Sequence, residues 1–572
     1  MARFVGALLF CLVIGAGLFA QTAADPNDFF YEDLVIWEAQ GIVNNLPQAR
    51  PYPLHLVKAI LQQVSEKGDY TQRRIAESHY QRIFGRILTY GFKTGAAIDS
   101  YNSFKELDVA LAFDLNFFMT DSVSASVDVD GWATNKLRYQ EIRPEGETSP
   151  KDIVEDNAKV GPMWILPSVN SSIAVGTTEY YVNAGLMRGS WGPFHSNGTI
   201  VSPQALHSGQ VDFAFYKGMF GLNASMYAIS ATADDDVEKF YPQKYISIHS
   251  IDFHPVDWFS ISILESVIYG PRFDLLYALP LSPYMISQGN NGFSDNNYLG
   301  GMFTVKPIEG LRVDGTLLAD DLSFNDIAKL KLDTKWRIAG QLGVSYAPRK
   351  SGLLRIVSLD YTMITPYTYS HKADDDYDIT EANYQNYAHA GESFGAAMEP
   401  NSDRINLKAT FRPLENFDVD LVGTLIRHAN VNEDIEYQWV KEYLANNKKN
   451  RYVTDGSIRN SSGSDAGHAY FYSTPFMSQE TIQYIWQTGF TLSCRLPVLK
   501  TGGYMLFKLG YRFEININPY VTSEIYPHDS SLVGKTDAEI KAAADKKLEN
   551  WREDAKGTIY NNYIRAGFEY YF

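Results

Sequence analysis

The sequence predicts an all-β transmembrane protein: a large antiparallel β-barrel of the outer-membrane type, with a small N-terminal α-helical domain at its periplasmic end. Three observations predict it. The chain opens on an export leader, its strands alternate over unusually long runs, and it closes on an aromatic strand flush with the C-terminus. Arg3 and the apolar run Phe4 to Ala20 form the leader, and Thr22-Ala23-Ala24 gives a cleavage site before Asp25. Cys11 lies in the middle of that run, the wrong place for lipoprotein processing. No later stretch is long and apolar enough for a spanning helix. The expected division is a signal peptide over 1–24, a helical plug over 25–90 and a barrel over 91–572.

The terminal strand, Tyr560 to Phe572, places Ile564, Ala566, Phe568, Tyr570 and Phe572 on one face. The other face carries Tyr563, Arg565, Gly567, Glu569 and Tyr571. An alternating strand ending in Phe is similar to the signal read by the barrel-assembly machinery, an expected partner. Lipid tolerates no open sheet edge, so such a strand requires many others. From Leu107 to Met119 apolar residues alternate with Asp108, Ala110, Ala112, Asp114 and Asn116. After a turn at Thr120-Asp121, Val123 to Val129 alternates with Ser124, Ser126, Asp128 and Asp130. Both runs reach the ~9–11 residues that cross a bilayer as a tilted strand.

A local repeat marks the connections. Phe253-His-Pro-Val-Asp, Val305-Lys-Pro-Ile-Glu and Phe411-Arg-Pro-Leu-Glu each precede a new strand, and proline suits a tight turn because it donates nothing to the ladder. Longer polar connectors span Lys136 to Lys159, His371 to Asp403 and Asn446 to Gly467, and all read as surface loops. Another lies just before the last strand. There Thr536 opens a capping box with Glu539, and Ile540, Ala544, Leu548 and Trp551 line one face of a helix.

Residues 25–90 follow a helical period instead. Phe30, Leu34 and Trp37 recur behind an Asp28 cap, with Gly41 as a stop. Pro53 can start a second helix whose stripe is Leu54, Val57, Leu61 and Val64, with Gly68 beyond its end. A third runs from Thr71 through Ile83. Three short helices make a small core, and packing under or inside the barrel would complete it.

A net charge of −17 and a pI near 5.2 argue against nucleic acid. Once the leader is removed Cys494 stands alone, so no internal disulfide forms. HExxH, GxSxG and phosphate-loop motifs are absent, and the sequence predicts no enzyme, catalytic residue, cofactor or metal site. Asp234-Asp235-Asp236 and Asp374-Asp375-Asp376 read as solvated loop acids, with a divalent cation as the alternative. The spacing of His468, Ser464 and Asp465 supports no hydrolase site.

One stretch is unlike a generic strand or loop: Gly185 to Ile200, with Trp191 held before Gly192-Pro193. A ring on a rigid turn stacks on sugar faces, and neighbouring Arg188, His195 and Asn197 supply donors. These four are the expected ligand-binding residues. The alternative is that Trp191 plugs the lumen or anchors a strand end.

Trp37 to Pro53 and the Arg-Gly-x-Trp-Gly-Pro motif at Arg188 to Pro193, followed by Ile200 to Pro203, resemble the corresponding segments of Wzi-like capsule-assembly proteins. Phe194-His195 departs from a Gly-rich continuation. The resemblance implies a barrel of about eighteen strands in the bacterial outer membrane, with a helical bundle at its periplasmic end. It also implies a surface polysaccharide and outer-membrane lipid as partners. Binding or organising that polysaccharide is the expected function. The alternative is a diffusion porin with a partly plugged lumen lined by Asp108, Asp114, Asp128 and Asp130.

Overall fold

The structure, a computed structural model, describes residues 25–147, 158–233, 243–289, 295–320, 337–370, 382–445, 476–498 and 503–572. The leader, both Asp triplets and the Ser464, Asp465 and His468 group lie outside the described residues.

Eighteen long antiparallel strands close into one barrel. In chain order they are β1 Leu88–Asp99, β2 Phe104–Thr120, β3 Val123–Thr134, β4 Met163–Gly176, β5 Tyr180–Met187 and β6 Ser208–Lys217. Next come β7 Phe220–Ser230, β8 Gln243–Val256, β9 Phe259–Tyr269, β10 Asn296–Ile308, β11 Leu311–Asp320 and β12 Arg337–Tyr346. The last six are β13 Leu354–Ile364, β14 Ser402–Leu414, β15 Phe417–Ala429, β16 Ile482–Val498, β17 Gly503–Ile517 and β18 Thr558–Tyr571. Each strand pairs with its sequence neighbours, and β18 pairs with both β17 and β1, so no edge is left open. The first strand begins at Leu88, slightly before the expected boundary.

The expected alternation is present in the wall. Leu107, Leu111, Phe113 and Met119 of β2 are exposed outward, while Asp108, Ala110, Ala112, Asp114 and Asn116 are buried inward. Across the sheet, Asp114 pairs with Asp128 and Ala112 with Asp130. With its belt of outward apolar side chains, the closed sheet is a transmembrane barrel of the outer-membrane type. Tight turns such as 121–122, 218–219, 257–258, 309–310 and 415–416 gather at one end. The long connectors gather at the other.

The repeated prolines do not sit in the turns themselves. The ladder shifts register between Phe253 and Val256, between Val305 and Ile308, and between Phe411 and Leu414. Pro255, Pro307 and Pro413 occupy these irregularities, where a missing N–H costs no ladder bond. The next residues, Val256, Ile308 and Leu414, pair with Phe259, Leu311 and Phe417 across two-residue turns.

Three helices precede the barrel: α1 Phe29–Ala39, α2 Leu54–Lys67 and α3 Tyr70–Phe84. Asp28 caps α1 by accepting from the Phe30 N–H at 2.7 Å. Pro53 is the residue before α2 rather than its first, and Leu54, Val57, Leu61 and Val64 are all buried. Asp69 and Gln72 cap α3 reciprocally. The helices lie at the turn end: His55 Nε2 is 2.9 Å from the Thr177 carbonyl, and Asp69 accepts from the Ser351 N–H at 2.7 Å. Their core reaches the wall through Tyr181 and Ala214. At the loop end, the helix Asp537–Asp554 has its predicted capping box, and Ile540, Ala544 and Trp551 pack with Val440, Leu444 and Ile525 into a separate small core.

The described part of the His371 to Asp403 connector is not a surface loop. It folds into the barrel, where Tyr384, Tyr387 and Phe394 are buried. Its aromatic side chains leave water there, and buried amides are satisfied by hydrogen bonds: Asn386 accepts from Lys244 at 2.6 Å and Asn401 donates to the Ala429 carbonyl at 2.8 Å.

The closing seam sets a test. Outward on β18, Phe568 packs on Phe507 with ring centroids 4.7 Å apart, and Phe572 packs on Tyr90 at 4.0 Å. Replacing Phe568, Tyr570 and Phe572 together by Ser is expected to block membrane assembly. Loss of heat-modifiable gel mobility and of the membrane fraction reads this directly.

Candidate functional site: a plug across the lumen and the cavity beside it

The lumen has two unlike halves, and the inward residues of each strand decide which. On β7 to β13 they include an apolar band of Tyr227, Ile246, Ile248, Leu264, Leu318 and Ile364, which runs among buried polar and charged residues such as Asn223, Asp252, Arg312 and Asp320. On β1 to β3 and on β17 and β18 they include Lys93, Asp108, Asp128, Asp130, Lys508 and Arg565. An apolar lumenal face in water is unfavourable, so something must cover the first half.

The cover comes from three segments. After β5 the chain turns inward through Gly189, whose missing side chain lets the backbone approach the wall; a Cβ there would lie 2.7 Å from the Tyr227 ring. Ser190-Trp191 then pairs with Ala49-Arg50 of the N-terminal segment. Gly192 takes φ +96°, a conformation that favours glycine, and donates its N–H to the Gln48 carbonyl at 3.1 Å. Arg50 Nη1 donates back to the Gly192 carbonyl at 2.7 Å. The third segment is the 365–401 connector. Tyr369 and Tyr387 donate their hydroxyls to the Thr199 and Ile200 carbonyls at 2.5 and 2.8 Å.

The structure thus brings the four expected ligand-binding residues together, inside this plug. Trp191 is 1% exposed and joins Ile200, Val201 and Phe394 in the shared core. Its ring has no open face for a sugar to stack on. Asn197 is buried and accepts from the Ala397 N–H at 2.8 Å, tying two plug segments together. Arg188 donates to the Ala205 carbonyl at 2.7 Å and lies 3.7 Å from Asp25, at the border of the lumenal cavity. His195 lies 3.3 Å from the Glu38 carboxylate. Burial, reinforced by the nearby Arg50 charge, lowers the imidazole pKa to about 4, so it is neutral at pH 7. The partner that charges Glu38 is Arg312, at 3.2 Å. Burial alone would raise the Glu38 carboxyl; Arg312 and the His195 contact hold it below its usual range.

A second lock lies at the turn end, and the sequence reading did not find it. Asp33 of α1 is fully buried; it faces His79 at 2.8 Å, Arg355 of β13 at 2.5 Å and Arg495 of β16 at 3.5 Å. Burial works to raise the Asp33 carboxyl, but Arg355, the His79 hydrogen bond and Arg495 prevail and keep it well below the ordinary range. Burial lowers the His79 pKa against Asp33. With Arg82 approaching Nδ1 at 3.3 Å, Nε2 carries the proton toward Asp33. Asp418 of β15 closes the group, taking both forks of Arg412 at 2.7 and 2.6 Å. These partners run from Asp33 to Arg495 along the chain and have no local motif.

Beside the plug lies a cavity of about 580 Å³. Asp108, Asp128 and Asp130 line one wall; Lys508, Arg512 and Arg565 line the other. Lys93 bridges toward the acids, donating to Asp130 at 2.6 Å. The expected acidic lumen therefore carries cations as well, with Glu569 and Glu147 lying among Lys508, Arg512 and Arg565. A second cavity of about 580 Å³ opens among the long connectors. Glu141, Glu145, Glu147, Glu392, Ser402 and His428 are among its lining residues, rich in acceptors for hydroxyl groups. Among the described residues, no group of three or more His, Cys, Asp or Glu side chains is arranged to hold a metal ion.

No family model and no curated protein matches the chain. Solved structures do. The chain is similar in fold to Wzi, an Escherichia coli outer-membrane protein involved in group 1 capsule assembly and described as a carbohydrate-binding β-barrel. The TM-score is 0.50 at 10% identity, covering 97% of this chain and 99% of that one. Pseudomonas aeruginosa OprD gives a TM-score of 0.39 at 9% identity, over 85% of this chain and 94% of that one. OccK2 (OpdF) from the same organism, solved in complex with glucuronate, gives 0.39 at 8% identity, over 85% and 96%.

Trp191→Ala removes a large ring from the shared core. It is expected to lower the free energy of plug opening by about 3–5 kcal/mol, read by hydrogen exchange of the Gln48, Ala49, Arg50 and Tyr52 amides. The His195 and Glu38 pair sets a pH dependence. Unfolded His195 takes a proton near pH 6.5 and the folded one at about 4, so its stabilisation is complete above 6.5 and is lost as pH falls to about 4. Glu38 acts in the same sense, contributing above its ordinary value of 4.5 and losing that contribution at lower pH. Protection factors of the plug amides, corrected for the intrinsic exchange rate at each pH, should fall as pH drops through this window, and His195→Asn should flatten the slope.

Proposed function

We propose that the protein is a closed outer-membrane barrel that binds or organises a surface polysaccharide. The observation that carries this reading is the plug: it crosses the lumen and shares its hydrophobic core with the wall. A barrel built around such a core is poorly suited to diffusion. What it offers the exterior is its loop end. There the acceptor-rich cavity suits the hydroxyl groups of a neutral or basic glycan, which donate to carboxylates and amides. The likeness to a carbohydrate-binding barrel is consistent with this and adds support from the fold alone. In this reading Arg188, Trp191, His195 and Asn197 all serve by holding the plug, Arg188 from the border of the lumenal cavity. The chemistry requires no catalytic group and no cofactor.

The cavity beside the plug favours a second reading, a narrow path for small solutes lined by both acids and cations. Conductance separates the two. Full-length protein in planar bilayers is expected to show no steady channel current. A steady current that falls in Gly510→Trp, which fills the cavity from β17, would transfer the function to the second reading. The glycan reading also forecasts that Glu392→Lys, at the loop-end cavity, lowers glycan retention on cells about tenfold with gel mobility unchanged, equivalent to about 1.4 kcal/mol.

A further inference from the structure

The segment Gly270 to Gly289 leaves β9 and folds over the outside of the barrel. Strand alternation fixes this. On β8 and β9, Ile246, Ile248, Leu264 and Ile268 face inward and join the plug core, and Lys244 donates to the Asn386 carbonyl at 2.6 Å. Their neighbours Tyr245, His249, Glu265, Val267 and Tyr269 must face outward. In register they pair as Tyr245 with Tyr269 and His249 with Glu265. On a bare wall these positions would meet lipid. Here Tyr277 and Tyr284 of the segment pack on Val267 and Tyr269, with Tyr245 against them.

The segment also covers charge. His249 Nε2 lies 3.2 Å from the Glu265 carboxylate, on the outer face of the sheet. The Tyr284 N–H donates to Glu265 at 2.8 Å, and the Tyr284 ring sits 4.1 Å from the His249 ring. Arg272 and the Tyr277 hydroxyl hold Asp295, at 2.6 and 2.9 Å, and so tie the segment to the start of β10. Its own outward surface is apolar: Phe273, Leu275, Leu279, Leu281, Met285 and Ile286 are exposed, Leu281 by 74% and Ile286 by 75%. Further along the same strands Ile251 and Ile263 are 60% and 66% exposed and belong to the barrel's apolar belt. The two surfaces are continuous.

We propose that Gly270–Gly289 is a lipid-embedded apron, its outer face covered by acyl chains of the leaflet at the loop end. Two physical reasons combine. An exposed patch of this size continuous with a hydrocarbon-facing belt is placed where water is scarce. A titratable pair on the outer wall also needs shielding from lipid, which the two tyrosines and the Glu265 hydrogen bond provide. Acyl chains are the occupant chosen by that continuity, and the proposal needs only the barrel, whichever functional reading holds.

The test uses full-length protein carrying Cys494→Ala, labelled with an environment-sensitive fluorophore at Leu281→Cys or Ile286→Cys and reconstituted in phospholipid vesicles. Ile263→Cys is the reference for the belt and Val533→Cys, an exposed site in a loop-end connector, the reference for water. Heat-modifiable mobility selects folded samples, and Met285→Cys replaces either variant that fails. The expected result is quenching by doxyl-labelled lipid equal to that at Ile263, with little quenching by aqueous iodide. Iodide quenching like that at Val533 would overturn the proposal. Protection from both quenchers would also overturn it, and would identify a protein-covered face instead.

Discussion

Everything in this molecule depends on the pairing of its last strand with its first. In hydrocarbon an unpaired backbone N–H or carbonyl has no water to turn to, so a sheet can exist there only without edges. β18 meets that constraint by bonding to β17 on one side and β1 on the other. The aromatic finish that marks the C-terminus also packs the seam, through Phe568 on Phe507 and Phe572 on Tyr90. Closure then creates a second problem. A ring of eighteen strands encloses more space than its inward side chains fill.

The barrel solves that problem unevenly. Where β7 to β13 carry an apolar inward band, two connectors and the N-terminal segment pack against it, with Trp191 in the shared core. On β1 to β3 and on β17 and β18, where inward residues are charged, a cavity is left. The filled side is thus the one that carries the apolar band. Buried charges pin the plug at its turn end, and each is matched: Asp33 by His79, Arg355 and Arg495, and Glu38 by Arg312. A single unmatched member would leave an isolated charge in a dry interior, so such groups fix position more than they add stability.

The outside of the barrel follows the same logic in reverse. Outward positions are apolar along most of the wall; the pair His249 and Glu265 is covered by a segment of the protein itself, and the outward Asp403 is held by Arg427 and Tyr361 of neighbouring strands. At the plug inside and at Gly270–Gly289 outside, a long connector folds back to separate side chains from an unfavourable medium.

The sequence by itself determined the elements. Period-two alternation over Leu107 to Met119 depends only on neighbouring residues, and so do the Asp28 cap, the Thr536 and Glu539 capping box and the aromatic terminal strand. Each was legible because its signal is local. The prolines at 255, 307 and 413 were legible as strand ends, though their seats in the ladder irregularities depend on the partner strand. The destination of the connectors was not legible. His371 to Asp403 reads as polar because its acids and amides are conspicuous, but the burial of Tyr384, Tyr387 and Phe394 depends on an apolar wall contributed by strands far away. The same is true of Trp191. Its glycine and proline setting announced a rigid turn, and only the tertiary structure decided that Ala49, Ile200 and Phe394 close around the ring. Period and capping are written in adjacent residues, whereas which surface meets which is fixed by packing between segments that the chain keeps hundreds of residues apart.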